Sequence, residues 1–256
     1  MGDLSTGKYW TRSWSPSTGC SPIDDPDQPC AHCWATGLVK LRPQATRGAG
    51  FTPTFHPELL LVPARWRTSQ VVFASIMGDW CHEAFTDGQI GQQLSAMACA
   101  PKSQFLTCTK RPERLVSLWR RKQAWGFTGM TAPNIWLGTT IWNQPSANRN
   151  IAYLSAVPGK HWLSVEPLLG PIDSLNLDGI GWVAVGCESG SGHRPCWRVW
   201  IEKVVSQCQT AGVPVWVKAI EVRGKVSHNM SEWPEWARLR QLPAELEAIL
   251  QPKGTR

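Results

Sequence analysis

The feature that most constrains the fold of this chain is a regular alternation of short apolar runs with longer amphipathic stretches. The apolar runs predict strands over residues 70–77, 104–108, 135–140, 161–165, 181–185 and 213–217. Helical spacing of apolar residues predicts helices over 31–41, 88–100, 112–124, 146–157 and 197–211, then two short ones over 233–239 and 243–250. Such alternation is typical of parallel βαβ units. We therefore expect an α/β fold, a partial (β/α)6-type barrel of parallel strands with its helices outside.

The organisation of the chain predicts one domain. No internal repeat or low-complexity tract interrupts its 256 residues, and glycine and proline are spread between the apolar segments. We expect residues 1–218 to form the barrel with an irregular N-terminal loop, and residues 219–256 to cap it. No apolar run approaches the ~18 residues that a membrane span needs, and the first residues lack a secretory signal. The expected location is the cytoplasm, without a membrane partner, where the nine cysteines stay reduced.

The charge balance permits a polyanionic partner. Lysine and arginine number 26 against 19 aspartates and glutamates, which gives a net charge of +7. Clustered basic groups gain free energy on nucleic acid through counterion release. Some of the sixteen tryptophans lie in polar contexts, where they would either stack on bases or anchor loops by packing: Trp10, Trp14, Trp66, Trp80, Trp142, Trp233 and Trp236.

Short polar motifs follow most of the predicted strands. In parallel barrels the chemistry lies at the carboxyl ends of the strands. The residues in this position are Gly78, Asp79, His82 and Glu83, then 109–111, 139–140, Asn143, Gln144, 164–167, 186–190 and Lys218. Solvated turns would carry scattered lysine and glutamate instead. The pattern therefore favours a site at the mouth of the barrel.

Three cysteines precede this pattern. Nine residues separate Cys20 from Cys30, and two separate Cys30 from Cys33, in a loop rich in proline and aspartate. A structural zinc site is normally closed by four protein ligands, so zinc would need His32 or His82 as the fourth. Three thiolates on an iron–sulfur cluster would leave one iron open, as a catalytic cluster requires. Three unligated thiols are the remaining interpretation, which fits poorly with a polar loop that offers little burial.

Several stretches resemble a family of radical S-adenosylmethionine (SAM) proteins of phages and bacteria. The resemblance is carried by residues 14–20 and 29–35 around the cysteines, and by 55–58, 78–83, 107–114, 135–138, 164–170 and 186–190. These motifs are specific in combination and extend over about residues 14–218. The chain departs from the wider superfamily in its long spacer before Cys30, which the phage family shares, and in His32, where an aromatic residue is usual.

The resemblance implies that Cys20, Cys30 and Cys33 hold a [4Fe–4S] cluster in a partial barrel. It also implies that the open iron chelates SAM and that a donor such as flavodoxin or ferredoxin reduces the cluster. Cleavage of SAM would then give methionine and a deoxyadenosyl radical, which abstracts hydrogen from the substrate. The long spacer changes the path of the loop but leaves the number of ligands intact.

Residues at the ends of three of the predicted strands are the expected SAM contacts. Met77, Gly78 and Asp79 end the strand beside the cysteines and are expected to hold the SAM amino group, with Gly78 allowing close backbone approach. Polar groups with donor and acceptor capacity are expected at the ribose and the rest of the cofactor, namely Thr140, Asn143, Gln144 and Ser164.

Glu166, Lys218 and Cys187 are the expected catalytic residues. A carboxylate directly after an apolar strand is costly unless it is paired or used, so Glu166 is also expected to bind the cofactor. Lys218 would pair with it or grip a substrate carboxylate or phosphate. Cys187, like Cys81, would either donate a hydrogen atom to a product radical or pack as a small apolar residue. The expected substrate contacts are Lys218, Glu188, Arg194 and His82.

The resemblance extends to phage enzymes of thymine hypermodification. It implies isomerisation of an amino-acid-modified thymidine in DNA, in which an N-linked glycyl group becomes carbon-linked. DNA is then the expected partner, and the host cytoplasm is the location if the chain is phage-encoded. Two alternatives stay open: a DNA-lesion repair lyase with the same cofactor, and a non-enzymatic zinc module that binds nucleic acid.

Overall fold

A computed structural model describes residues 7–25, 30–123, 129–190 and 192–250. The strands are β1 (Arg12–Trp14), β2 (Ser17–Thr18), β3 (Thr54–Phe55), β4 (Val71–Ala74), β5 (Gln104–Leu106), β6 (Ile135–Thr140), β7 (Lys160–Val165), β8 (Ile180–Gly186), β9 (Val215–Val222) and β10 (Lys225–Ser227). The α-helices are α1 (Trp34–Leu41), α2 (Asp87–Ala98), α3 (Glu113–Gln123), α4 (Gln144–Ser155), α5 (Arg198–Ala211) and α6 (Ala244–Leu250).

Eight strands form one sheet in the order β1-β4-β5-β6-β7-β8-β9-β10, and β2 pairs with β3 separately. Every neighbouring pair of the large sheet is parallel except the hairpin of β9 and β10. Apolar side chains on its outer face pack against α2, α3, α4 and α5 in one continuous core. The mixed α/β fold with a mostly parallel sheet is thus confirmed.

Tyr9 shows that the sheet is curled. Its ring centroid lies 6.3 Å from that of Phe73 on β4, 4.8 Å from Trp182 on β8 and 5.8 Å from Trp216 on β9. In a flat sheet β4 and β9 would be separated by five strand spacings, or about 24 Å. One phenol ring reaches both only because the strands bend around it, which makes the sheet a half-barrel.

The inner face of the half-barrel is arranged in layers. Buried indoles from four adjacent strands fill the layer nearest the amino ends: Trp136, Trp162, Trp182 and Trp216. Two residues further along, the inward positions on β6 and β7 are the small residues Gly138 and Ser164. The next inward positions are polar, and a cavity opens above them. The barrel is therefore packed solid at one end and hollow at the other.

Several element boundaries differ from the predicted ones. Residues 75–77, predicted to continue a strand, lie in a turn after β4. The strand β1 was not predicted, and β9 runs on to Val222 where a polar connector was expected. The helix predicted over 233–239 is replaced by short 3-10 turns at Met230–Glu232 and Glu235–Ala237. Ala124, the predicted end of a helix, lies outside the described residues.

Burial decides between the two roles expected for several tryptophans. Trp14, Trp80, Trp142 and Trp233 are at most 3% exposed, so these four pack in the interior and do not stack on bases. Among the tryptophans that the structure describes, the exposed ones are instead Trp34 and Trp197, at 49% and 63%. Within the described ranges, none of the helices has the length and apolar character that crossing a bilayer would require.

Gly138 offers a test of the inner layers. A Cβ at this position would lie 2.2 Å from Trp162 Nε1 and 2.5 Å from the Thr107 carbonyl oxygen, to which that indole N–H donates. Gly138→Ala must therefore push the indole off its acceptor, and we expect a loss of about 3 kcal/mol in the free energy of unfolding by urea.

The matched control is Gly37→Ala in α1, where a Cβ meets nothing within 4 Å. Because alanine is the better helix former, this variant should be more stable by about 0.5–1 kcal/mol. Equal effects of the two substitutions would contradict the layered packing.

Candidate functional site

A cavity of about 490 Å³ opens at the carboxyl ends of the strands. Tyr9, Trp10 and Phe73 form an apolar floor at the edge of the packed layers. The sequence-predicted residues that line it are Cys20, Cys30, Cys33, Gly78, Asp79, Thr140, Ser164, Glu166, Glu188 and Lys218. The fold therefore brings the cysteine loop and the ends of five strands to one space.

Two glycines hold the first cysteine against β4. Gly19 and Gly78 form a parallel bridge, and a Cβ on Gly78 would lie 2.4 Å from the Gly19 carbonyl oxygen. Gly19 has φ +81°, a conformation that favours glycine, and its own Cβ would lie 2.2 Å from the Thr52 oxygen. The sequence argument assigned the close approach at Gly78 to a cofactor. The structure uses it for the backbone that carries Cys20.

Asp79 is the centre of the polar network below the cysteines. Its Oδ1 accepts from the Cys81 N–H at 3.0 Å and the Thr109 hydroxyl at 2.6 Å, and its Oδ2 accepts from the Lys110 N–H at 2.9 Å. The Arg111 guanidinium completes the shell at 3.3 Å from Oδ2. This buried carboxylate is therefore fully hydrogen-bonded and fixes the loop after β5 to the turn after β4.

Arg111 extends this network to the cysteine loop. It is buried and donates to Cys20 Sγ at 3.5 Å, the Ser21 carbonyl oxygen at 3.0 Å and Glu83 at 3.0 Å. Burial disfavours its charge, but Asp79 and Cys20 outweigh that effect and raise its pKa. Burial, assisted by Asp79, raises the pKa of Cys20 to about 11 against the opposing effect of Arg111.

Lys110 lies among the thiols. Burial works against its ammonium charge, yet the nearby Cys30, Cys108, Asp79 and Cys33 outweigh burial and raise its pKa. Lys110 and Arg111 thus place two cations beside the three cysteines. They follow an apolar strand in the sequence, but no residue-level signal marked them as more important than the other polar residues at strand ends.

A β-bulge directs Lys218 into the cavity. Val185 pairs with Val217 and Gly186 pairs with Ala219, so Lys218 is an extra residue between two regular pairs. Its ammonium group lies 2.5 Å from Glu166 Oε1. Bulges change the direction of side chains next to functional sites. Here the result is an ion pair in the cavity wall between Lys218 on β9 and Glu166, which follows β7. The pairing of Glu166 with Lys218 was one of the two roles predicted for that lysine.

Glu188, in the segment that follows β8, also lines the cavity. It is 4% exposed, and it accepts from the backbone N–H and the guanidinium of Arg194 at 2.9 and 3.1 Å. His32, next to Cys33, approaches it at 3.5 Å. Burial alone would raise the pKa of Glu188, but the hydrogen bonds from Arg194 outweigh burial and lower it. Arg194 is thus engaged with a protein carboxylate.

Other predicted site residues have structural contacts and do not line the cavity. The Asn143 side chain caps α4 through the Ser146 N–H, and Gln144 binds the backbone of residues 173 and 174. Met77 packs under α1 with Ala35 and Val39. Cys187 is fully buried in the outer core.

His82 supports the cysteine loop from below. Its Nδ1 accepts from the Ala84 N–H at 3.1 Å, so the proton lies on Nε2, which donates to the Ser21 hydroxyl at 2.8 Å. Burial and the nearby Arg111 lower its pKa. The imidazole therefore holds Ser21, the residue that follows Cys20, and does not itself line the cavity.

A curled parallel sheet with a thiol-lined cavity at its carboxyl ends defines an α/β half-barrel with a site at the usual functional end. Residues 5–237 match a family described as a protein of unknown function (DUF5131), and the chain belongs to this family. No curated protein and no solved structure matches the chain.

The Glu188–Arg194 pair predicts a dependence of stability on pH. Because the pKa of Glu188 is lowered in the native state, its pairing stabilises the protein above the ordinary value of 4.5, and this contribution is lost as the pH falls through the lower native pKa. The free energy of unfolding of Glu188→Gln should therefore lie furthest below that of wild type near neutral pH, with the difference shrinking in acid.

Urea unfolding at several pH values measures this difference. Glu202→Gln, at an exposed position of α5, is the matched control for removal of a carboxylate. A wild-type advantage over Glu188→Gln that grows toward low pH would contradict the assignment.

Proposed function

We propose that this chain is a radical SAM enzyme that reductively cleaves SAM and modifies a nucleobase. The observation that carries the proposal is the convergence of Cys20, Cys30 and Cys33 on one cavity, at the carboxyl ends of a parallel half-barrel. The cysteines come from a single loop, and the walls of the cavity come from six successive strands, β4 to β9. This arrangement gives an iron–sulfur cluster and a small polar ligand a common space.

The donor set fits a [4Fe–4S] cluster by its chemistry. Iron–sulfur clusters are held by cysteine thiolates, and three thiolates leave one iron for an exchangeable ligand. Lys110 and Arg111 offset the negative charge that three thiolates and a cluster bring into a partly buried site. Across the described residues, no three His, Cys, Asp or Glu side chains are grouped as a metal site.

When bound, the reduced cluster supplies the electron that cleaves SAM into methionine and a deoxyadenosyl radical. The chain's own residues orient the ligand and exclude water. Ser164 and Thr140 present hydroxyl groups to the cavity, and the carboxylate of Glu166 is held in place by Lys218. The floor of Tyr9, Trp10 and Phe73 keeps water from the side where a reactive carbon centre would form.

Arg111 is the proposed positioning residue of the cysteine loop. Its fork ties Cys20 and Ser21 to Asp79, so the first cysteine is held at a fixed depth in the cavity. An N–H group directed at a ligating sulfur withdraws electron density and favours the reduced state of a cluster. Flavodoxin or ferredoxin remains the proposed electron donor.

The proposed substrate is an amino-acid-modified thymidine in DNA, isomerised from an N-linked to a carbon-linked glycyl form. Support from the surface is a net charge of +7 and two exposed indoles. Trp34, half exposed, lines the cavity mouth itself, where a base or ribose would pass. The repair of a DNA lesion with the same cofactor would use the same surface, and product analysis separates the two reactions.

Anaerobic reconstitution with iron and sulfide tests the proposed function. Wild type should hold about four irons per chain, and with SAM and dithionite it should release deoxyadenosine. Cys30→Ala removes one of the three ligands and should lose both properties. The matched control is Cys99→Ala, an exposed cysteine at the end of α2, which should retain them.

The readouts are iron content, the electron paramagnetic resonance signal of the reduced protein and chromatography of deoxyadenosine. Tightly bound zinc without a cluster or SAM cleavage would overturn the enzyme and favour the zinc module.

The role of Arg111 has a separate readout. Arg111→Lys keeps the charge but loses the planar fork, so the cluster should have a lower reduction potential and bind less iron. Arg111→Gln also leaves Asp79 without its cation and should destabilise the chain by about 3 kcal/mol. A redox titration followed by paramagnetic resonance measures the first effect and urea unfolding the second.

Arg121→Gln, which removes an exposed guanidinium bonded to Asp87 and the Ser117 hydroxyl, is the control for losing an arginine. An unchanged potential in a fully loaded Arg111→Lys protein would contradict the positioning role.

A further inference from the structure

A second concavity of about 410 Å³ adjoins the cavity at its mouth. It is lined by Ser189, Gly190, Gly192, His193, Lys225, Val226 and His228. Ser189 lines both spaces, so the two lie next to each other in the segment that follows β8. A ligand seated in the main cavity would reach the concavity by extending past this one residue.

The polar side chains of the concavity are basic or neutral. It contains one lysine and two histidines, and none of the described lining residues is a carboxylate. The acidic groups nearby have other partners: Glu188 binds Arg194, Glu232 accepts from the Ser227 hydroxyl at 2.6 Å, and Glu221, which pairs with Val226, accepts from the Cys196 N–H at 3.2 Å. The local excess of positive charge favours an anion.

The backbone of the loop is also suited to an anion. Gly190 and Gly192 have φ of +113° and +76°, and a Cβ on either would meet nothing within 4 Å. These glycines are therefore required by the path of the chain and not by packing. In the described part of this loop, the N–H groups of Ser189, Gly190, Gly192 and His193 donate to no protein acceptor. Turns with glycine at positive φ let successive N–H groups face one anion.

His228 couples the concavity to the wall of the main cavity. Its Nδ1–H donates to the carbonyl oxygen of Lys218 at 3.1 Å, and Arg240 donates to the His228 carbonyl oxygen at 3.2 Å. The bulged residue that pairs with Glu166 is thus bonded to a residue of the concavity. Ligand groups in the two spaces would be held at a fixed separation.

We propose that this concavity is a phosphate-binding subsite, in which the side chains of Lys225, His193 and His228 and the N–H groups of Gly190 and Gly192 hold a phosphate group of the substrate. Cations and N–H groups spread around a rounded space suit a tetrahedral phosphate, whereas a flat carboxylate is best matched by a single arginine fork. The proposal rests on the proposed function and adds that its substrate carries a phosphate group, which this subsite binds. The phosphate belongs either to a nucleic-acid phosphodiester or to a mononucleotide.

Binding of two probes to the full-length purified chain tests the subsite. Fluorescence anisotropy with labelled hexathymidylate reports a phosphodiester, and isothermal calorimetry with thymidine 5′-monophosphate reports a monoester. Lys225→Glu should weaken binding of at least one probe roughly tenfold, and His193→Ala with His228→Ala should weaken it several-fold. Lys102→Glu, an exposed lysine before the amino end of β5, is the matched charge-reversal control. Thermal unfolding of each variant confirms that it is folded.

Each result decides the matter. If Lys225→Glu weakens binding of hexathymidylate alone, the ligand is a phosphodiester. If it weakens binding of the nucleotide alone, the ligand is a monoester. If it weakens both, the subsite recognises the phosphate group that the two probes share. Binding of neither probe by wild type, or equal effects of Lys225→Glu and Lys102→Glu, overturns the subsite.

The proposed function is tested apart from it by release of deoxyadenosine from SAM in the reconstituted wild type without substrate. A chain that releases none but loses phosphate binding only in Lys225→Glu keeps the subsite and refutes the enzyme. A chain that releases deoxyadenosine but binds phosphate equally in all variants supports the enzyme and refutes the subsite.

Discussion

Packing of aromatic rings around Tyr9 is the interaction on which the rest of the structure depends. The phenol is buried, and burial, with the charges of Glu166 and Cys108, raises its pKa. Strands that would be far apart in a flat sheet all contact it, so their carboxyl ends are brought around one space. The Trp162 and Trp182 indoles stack 5.3 Å apart beside it and keep that space from extending through the barrel. The cavity thus exists because the opposite end is filled.

The polar half of the site depends on the packed half. Asp79 accepts from groups of two separate loops, and it is costly to bury a carboxylate unless such donors are in place. The sheet supplies them by fixing the ends of β4 and β5 side by side. Arg111 then carries this order outward to Cys20, so the cysteine loop is positioned by charge and hydrogen bonds where little apolar burial is available. The same contacts of Asp79 and Arg111 therefore both position the cysteine loop and set the charge around it.

The sequence alone predicts the six α-helices, most strands and the end of the barrel at which polar residues gather, because each depends on periodicity or chain order, although the helix predicted over 233–239 does not form. It fails where long-range pairing decides. The three-residue strand β1 forms because β4 offers it an edge, and no local pattern marks it. Gln144 looks like a ligand group by type, yet it holds residues 173 and 174. Asp79, Glu166 and Lys218 were found since they end apolar runs, whereas Arg111 gains its role only from contacts distant in sequence.

The bulge at Lys218 adds a residue that serves the cavity and takes no part in the pairing of β8 with β9. Without that one extra residue, β8 and β9 would continue their regular hydrogen bonding. The ammonium group beside Glu166 would be gone, and with it the strand's bond to His228. A single-codon deletion there would therefore remove the cation beside Glu166 and the carbonyl oxygen to which His228 donates, while the pairs of β8 and β9 on either side of the bulge could still form.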